Sequence, residues 1–170
     1  NAQSWQECCE AFCQQLDVAL VCQRIVLPGN PRGGLESAAR DARYAAFDSL
    51  RRGDDVLFLG HHRDDQLETL MLNLFRSRGI AGLAGMAVSS QPEALRVRPL
   101  LQHQRSELLD YARRHQLAWV EDESNEDLRF SRNFVRHRLL PTAAGHWPDY
   151  ANRLAATLRE LGHASALLDE

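Results

Sequence analysis

Residues 54–86, DDVLFLGHHRDDQLETLMLNLFRSRGIAGLAGM, decide how the rest of the chain is read. Val56-Leu57-Phe58-Leu59 is apolar without alternation, the pattern of a short strand buried on both faces, as in a parallel sheet under helices. Gly60 ends the strand, and His61-His62-Arg63-Asp64-Asp65 follows at its carboxyl end, the edge where open α/β sheets form their ligand crevices. Beyond it, Leu67, Leu70, Met71, Leu74 and Phe75 recur at i, i+3, i+4, i+7 and i+8, which predicts a helix with one buried stripe.

The acids of that helix carry the chemistry. At about 100° per residue, Asp64 and Glu68 fall at one edge of the apolar stripe and Asp65 further round. Asp65 and Glu68 are i, i+3 and Asp64 and Glu68 are i, i+4, so their Cβ atoms stand roughly 5–6 Å apart. With two imidazoles just before them, these acids could hold a hard cation, bind an ammonium group or move protons. Asp65-x-x-Glu68 is also the pattern of an aspartate N-cap with an acid at N3, a capping-box-like start. A cap explains neither the paired histidines nor Arg63 between them and the acids.

The remaining sequence bounds the class. A chain of 170 residues, 44% hydrophobic and 25% charged, has the size and composition of one globular domain. It holds no apolar run long enough to span a membrane and no secretory h-region. It opens on Asn1 without an initiator methionine, which reads as a partial or processed end. Net charge is −3, so bulk electrostatics do not announce a nucleic-acid binder, yet every one of the 20 cationic residues is arginine. That excludes a lysine nucleophile within these residues and favours planar, bidentate contacts to carboxylate or phosphate, although base composition of the coding sequence accounts for it equally. Cys8, Cys9, Cys13 and Cys22 form no C-x-x-C and no zinc pattern, and read as small apolar residues in a reducing cytoplasm.

In chain order, residues 4–16 read as a helix and Val18 to Leu27 as a strand, ended by the loop Pro28-Gly29-Asn30-Pro31-Arg32-Gly33-Gly34. That loop fits neither phosphate-binding glycine pattern, and its prolines remove donors that a nest would need. Leu35 to Arg51 reads as a helix whose small residues suit close packing on a sheet, with Arg40, Arg43 and Tyr44 off its stripe. Gly79, Gly82 and Gly85, three apart, suggest close backbone approach or a stack of turns. Leu95 to Arg98 reads as a short strand, Gln102 to His115 as a helix and Leu117 to Val120 as a strand. Acids then segregate at Glu121 to Asp127, followed by Arg129, Arg132 and Arg136, which would share a face on one helix and suit phosphates, or else pair with the preceding acids. A final amphipathic helix runs from Trp147 to the end, and its stripe needs a partner. The alternation of elements predicts an α/β fold.

GHHRDDQLET, RGIAGLAGM, RPLLQHQRSELLDYA and WVEDESNEDLRFSRNFVRHRLLP resemble, in order and spacing over roughly Leu35 to Pro141, successive blocks of the tRNA(Ile)-lysidine synthetases. These are members of the PP-loop (N-type) ATP pyrophosphatases. The resemblance implies an α/β fold with a Rossmann-like parallel sheet flanked by helices (adenine nucleotide alpha hydrolase-like). Residues 1–140 would form the C-terminal portion of the PP-loop catalytic domain, and residues 141–170 a helical connector to a further C-terminal region. It implies ATP and Mg²⁺ as cofactors, and free L-lysine and a tRNA(Ile) with a CAU anticodon as partners. The wobble cytidine would be adenylated at its C2 oxygen, and lysine would displace AMP to give lysidine in the cytoplasm.

Carried over by position, His61, Asp65, Glu68, Arg132 and Arg136 are the expected catalytic residues. Arg40, Arg43, Gly60 and His61 are expected on the nucleotide, and Asp65 and Glu68 on Mg²⁺. The family's SGGxDS loop is not among these residues, so the segment alone is expected to bind ATP poorly and to be inactive. Ser77 stands where the family usually has glycine, which leaves the path of that turn open. Two other readings remain: cytidine thiolation by a related PP-loop enzyme, against which the missing C-x-x-C speaks, and a metal-dependent hydrolase built on His61, His62, Asp64 and Asp65. A third is a non-catalytic RNA-binding module.

Overall fold

The central helix forms as its spacing predicts. In a computed structural model, which describes residues 2–27, 35–89 and 96–168, α3 runs from Arg63 to Phe75. Before it come α1 (Ala2–Gln15), α2 (Leu35–Leu50) and β1 (Leu57–Phe58). After it come α4 (Ile80–Leu83), β2 (Arg96–Val97), α5 (Arg105–Arg114), α6 (Ser131–Phe134), a π-helical turn (Val135–Leu139), α7 (Leu140–His146) and α8 (Tyr150–Leu168). The chain divides into two compact units, one of Asn1–Asp55 with Ala112–Glu123, the other of Val56–Tyr111 with Ser124–Glu170.

The fold is α/β, mostly helical, with one small sheet among the described residues. Strands β1 and β2 pair in parallel, Leu57 opposite Arg96 and Phe58 opposite Val97, across the α3–α4 crossover. An antiparallel bridge from Ser89 to Val97 adds a third edge. Three strand expectations change. Val56–Leu59 shortens to Leu57–Phe58, and it is not buried on both faces, since Phe58 is 67% exposed. Val18–Leu27 and Leu117–Val120 are irregular. A strand exists only against a hydrogen-bonding partner, and neither segment has one among the described residues. The loop at residues 28–34 and the start of the expected strand at Leu95 lie outside the described residues.

The core sits in the second unit. Leu67, Leu70 and Leu72 of α3 pack with Val135, Leu140 and Leu158, flanked by Met71, Leu83, Leu154 and Leu161. The stripe is therefore rotated from the expected one: Leu72 enters the core, while Leu74 and Phe75 are 52% and 67% exposed. Helix α8 finds its partners here, against α3, α4 and α7.

Turn geometry locks α3 to the segment Ser77–Met86 beyond it. Gln66 bridges the backbone of Met86, its Nε2 donating to Met86 O and its Oε1 accepting from Met86 N, both at 2.7 Å. Gly85, at φ +75°, lies so close that a Cβ would stand 2.7 Å from Gln66 Oε1 and 2.9 Å from a Leu158 methyl. A Cβ at Gly82 would meet the Arg78 side chain at 2.5 Å, so two of the three spaced glycines mark close approach. Helix α3 ends in a Schellman motif: Arg78 N donates to Asn73 O and Ser77 N to Leu74 O, with Ser77 in the left-handed region at φ 52°. The turn thus follows the path that glycine favours, with serine in its place.

Candidate functional site

Asp65, not yet inside the ladder of α3, reaches back to its start. Its Oδ2 accepts the His62 backbone N–H at 2.9 Å, so His62 is the N-cap and Asp65 the N3 acid. The capping box is real but lies one turn earlier than Asp65-x-x-Glu68. Glu68 is thereby freed from any capping role, and its environment needs another explanation.

That explanation comes from the segment Ser131–Leu139. Glu68 is 1% exposed, and Arg136 grips it with both arms of its guanidinium, Nε to Oε1 at 2.6 Å and Nη2 to Oε2 at 3.1 Å. Arg136 Nη2 also stands 3.5 Å from Asp65 Oδ1. Arg132 approaches from the same side, Nε 3.7 Å from Glu68 Oε2, while its Nη2 donates to Thr69 Oγ1 at 3.2 Å. Arg136 lies within the π turn. Pro141 supplies a local cause for that turn, since it has no N–H for the His137 carbonyl and its ring crowds it.

Arg129 does not join this pair. It lies ahead of α6, its side chain 89% exposed, and closes on its neighbour Asp127 at 2.7 Å. The expected three-arginine face therefore reduces to two. Of the two sequence readings, salt-bridging to the preceding acids holds for Arg129, whereas Arg132 and Arg136 turn to Glu68.

Burial and charge set the proton affinities. Burial pushes the Glu68 carboxyl above its ordinary range, against the opposing pull of Arg136, while the charge on Asp65 adds to the rise. Arg136 is raised in turn by Glu68 and Asp65, against the effect of its own burial, so it stays cationic. Asp64 is held down at about 2, chiefly by hydrogen bonding with His62. The Arg105 backbone N–H, 2.8 Å from Asp64 Oδ2, adds to that effect and ties the start of α5 to the start of α3.

Asp65, Glu68, Arg132 and Arg136 thus converge in one cluster, with His61 two residues before α3. Gly60 lies beside it with open space where a Cβ would stand. Arg40 and Arg43 are exposed on α2 in the other unit, each with its guanidinium over Tyr44, at 5.7 and 6.0 Å from the ring centre. Three further residues shape the site: His62 and Asp64, which the sequence reading weighed only as metal ligands or paired acids, and Asn133, which it did not single out. His62 stands with Nε2 3.5 Å from Asp65 Oδ2 and Nδ1 3.6 Å from Asp64 Oδ2. Asp64 couples two helices. Buried Asn133 donates to the carbonyls of Ser124 and Asp127 at 2.7 and 3.0 Å, fixing the loop that leads into α6. An isolated amide within SRNF gives no sign of such a role.

As a resident Mg²⁺ site, the arrangement does not fit. The oxygens of Asp65 and Glu68 already accept from the His62 backbone and the Arg136 guanidinium, and a cation between them would face the charges of Arg136 and Arg132. Among the described residues, no group of three or more His, Cys, Asp or Glu gathers as a metal site. The arrangement is instead a buried acid held by two arginines that keep part of their surface open.

Comparison with known proteins places the chain in a family. A family model described as a PP-loop domain matches residues 1–143. Proteins named tRNA(Ile)-lysidine synthase from Pseudomonas fluorescens (strain Pf0-1) and Pseudomonas syringae pv. tomato are 46% and 47% identical, each over 99% of this chain and 38% of their own length. One of the same name from Burkholderia mallei is 41% identical over the whole chain and 36% of its own length. The chain therefore spans under two fifths of the relatives it matches. With its matched region running through the Glu68 cluster to residue 143, the chain belongs to the PP-loop domain family.

Proposed function

We propose that this chain is the part of a tRNA(Ile)-lysidine synthase that brings the reacting cytidine and lysine together. The reaction is ATP-dependent ligation of free L-lysine to C2 of the wobble cytidine of a tRNA(Ile) with a CAU anticodon. The C2 oxygen attacks the α-phosphorus of ATP and pyrophosphate leaves. The lysine ε-nitrogen then bonds to C2, the C2–O bond to AMP breaks, and the amine loses a proton. The protein would act in the cytoplasm, where ATP, lysine and tRNA are available; no helix among the described residues is long and apolar enough to cross a membrane. Residues 1–140 belong to the catalytic PP-loop domain and residues 141–170 lead toward the next region.

The observation that carries this reading is Glu68, an acid buried without a capping role and held by two arginines. Arg132 and Arg136 are the groups best suited to the phosphate charge that develops on the departing AMP. As they turn toward phosphate, the Glu68 carboxylate loses its partners in a low-dielectric setting. Its raised proton affinity then suits it to take the proton from the lysine ammonium before attack. Asp65, anchored on the His62 backbone, keeps one oxygen toward the cationic side of the cluster and orients the ammonium. His61 and Gly60 are assigned to the nucleotide. Mg²⁺ is assigned to the phosphates of ATP rather than to Asp65 and Glu68, in keeping with its preference for phosphate and water oxygens.

The test is incorporation of labelled lysine by the full-length protein into a tRNA(Ile) transcript. The proposal expects incorporation that requires ATP and a cytidine at the wobble position. Equal incorporation with uridine there, or none with any transcript, would overturn it.

A further inference from the structure

A cavity of about 540 Å³ opens between α3 and α8, on the opposite side of α3 from Glu68. On a helical projection Arg63, Gln66 and Leu67 share that side, while Asp65 and Glu68 lie across the axis. Leu67, Leu101 and Leu158, all buried, give the cavity an apolar floor. Arg63, Gln66, Gln102, Asn152 and Arg159 contribute its polar groups, and no acid among the described residues lines it. Ala155 and Gly162 of α8 also line it, and their small size keeps the gap open.

The charge in this wall is incompletely used. The Arg63 guanidinium donates through Nη2 to Asn152 Oδ1, but its Nε is buried with no hydrogen-bond partner among the described residues. A buried donor left this way is costly and calls for an acceptor. Two arginines, three amides and an apolar floor, with no carboxylate among the described residues, suit an anion joined to a flat apolar body. A nucleotide unit has that chemistry: its phosphate would meet the arginines, its base would lie on the leucines, and the Gln102 amide would read its edge, Gln66 and Asn152 being engaged by Met86, Arg63 and Asp149. Recognition of RNA commonly proceeds by seating unstacked bases in such pockets.

We propose that this cavity receives one nucleotide unit, through contacts separate from those around Glu68. The proposal rests on the RNA-modifying reading above where the unit belongs to the tRNA, and it stands independently where the unit is a free nucleotide. Arg159→Ala removes one cation, and Ala155→Trp fills the space; neither touches the Glu68 cluster. In the full-length protein, both variants are made and their fold is checked by thermal melting. Binding is then measured with a stem-loop RNA carrying the CAU anticodon and, separately, with AMP alone.

Loss of about tenfold or more in RNA affinity for both variants, with the salt dependence of binding reduced by roughly one charge for Arg159→Ala, assigns the site to RNA. The same loss for AMP with RNA unaffected assigns it to a free nucleotide. Unchanged affinity for both probes in a folded Ala155→Trp protein would overturn the proposal. Because binding is read without lysine transfer, failure here is distinguishable from failure of the ligase reading.

Discussion

Arg136 holds Glu68 through two hydrogen bonds, at 2.6 and 3.1 Å, across 68 residues of sequence. The pair joins the helix that follows the sheet to the arginine-bearing segment near the end of the matched region. Removing one partner of a buried pair leaves the other charge without compensation, which costs about 3–5 kcal/mol. Arg136→Ala should therefore lower stability by about that amount in urea denaturation. The double variant Glu68→Leu/Arg136→Met should lose less than the sum of its single changes, giving a coupling of more than about 1 kcal/mol. Additive losses would show that the pair is not held as described.

A second prediction concerns acid. Asp64 is held at about 2, below its ordinary value, so the folded state favours its charged form. Its contribution to stability is present above the unfolded-state value of about 4 and is lost as pH falls toward about 2. Asp64→Asn should thus be less stable than the parent at pH 6, and the gap should narrow between pH 4 and 2. Glu68 has the opposite sign: with its carboxyl raised by burial, its contribution falls as pH rises above about 4.5. Urea midpoints across this range, compared among parent, Asp64→Asn and Glu68→Gln, check both directions.

Backbone conformation gives a third. Ser77 occupies the left-handed position of the turn that closes α3, at φ 52°. Ser77→Gly should stabilise the protein by about 1 kcal/mol, because glycine carries no penalty there. Gly85→Ala should act in reverse, since its φ is +75° and the new methyl would meet Gln66 and Leu158 below 3 Å. A loss of about 2 kcal/mol or more is expected, read as a drop in Tm. Equal and small effects at the two positions would contradict the turn geometry.

Much of the fold was legible because helices announce themselves locally. The spacing of apolar residues places α1, α2, α3, α5 and α8 within a few residues of their observed ends. Strands were less legible because they depend on a partner elsewhere: apolar residues 18–27 match a strand in composition, yet they are irregular in the structure. The acids of the site were legible from spacing and resemblance together, but their partners were not. Which acid caps α3 depends on where the first turn begins, and the spacing Asp65-x-x-Glu68 fits two registers one turn apart. Arg129, Arg132 and Arg136 share a face only if one α-helix carries all three. The helix begins after Arg129 and widens at Val135, so two arginines reach Glu68 and the third does not.

Glu68 is the residue on which the functional account turns, and the most direct measurement is the rate of lysine transfer by Glu68→Gln in the full-length protein, with tRNA affinity measured in parallel. Glutamine keeps the shape and can still accept from Arg136, but it cannot take a proton from an ammonium group. The account predicts a fall in transfer of at least about 100-fold, with tRNA affinity within about threefold and the melting transition still cooperative. Transfer within a few-fold of the parent would contradict it, and would leave Glu68 as a structural counterion for Arg136.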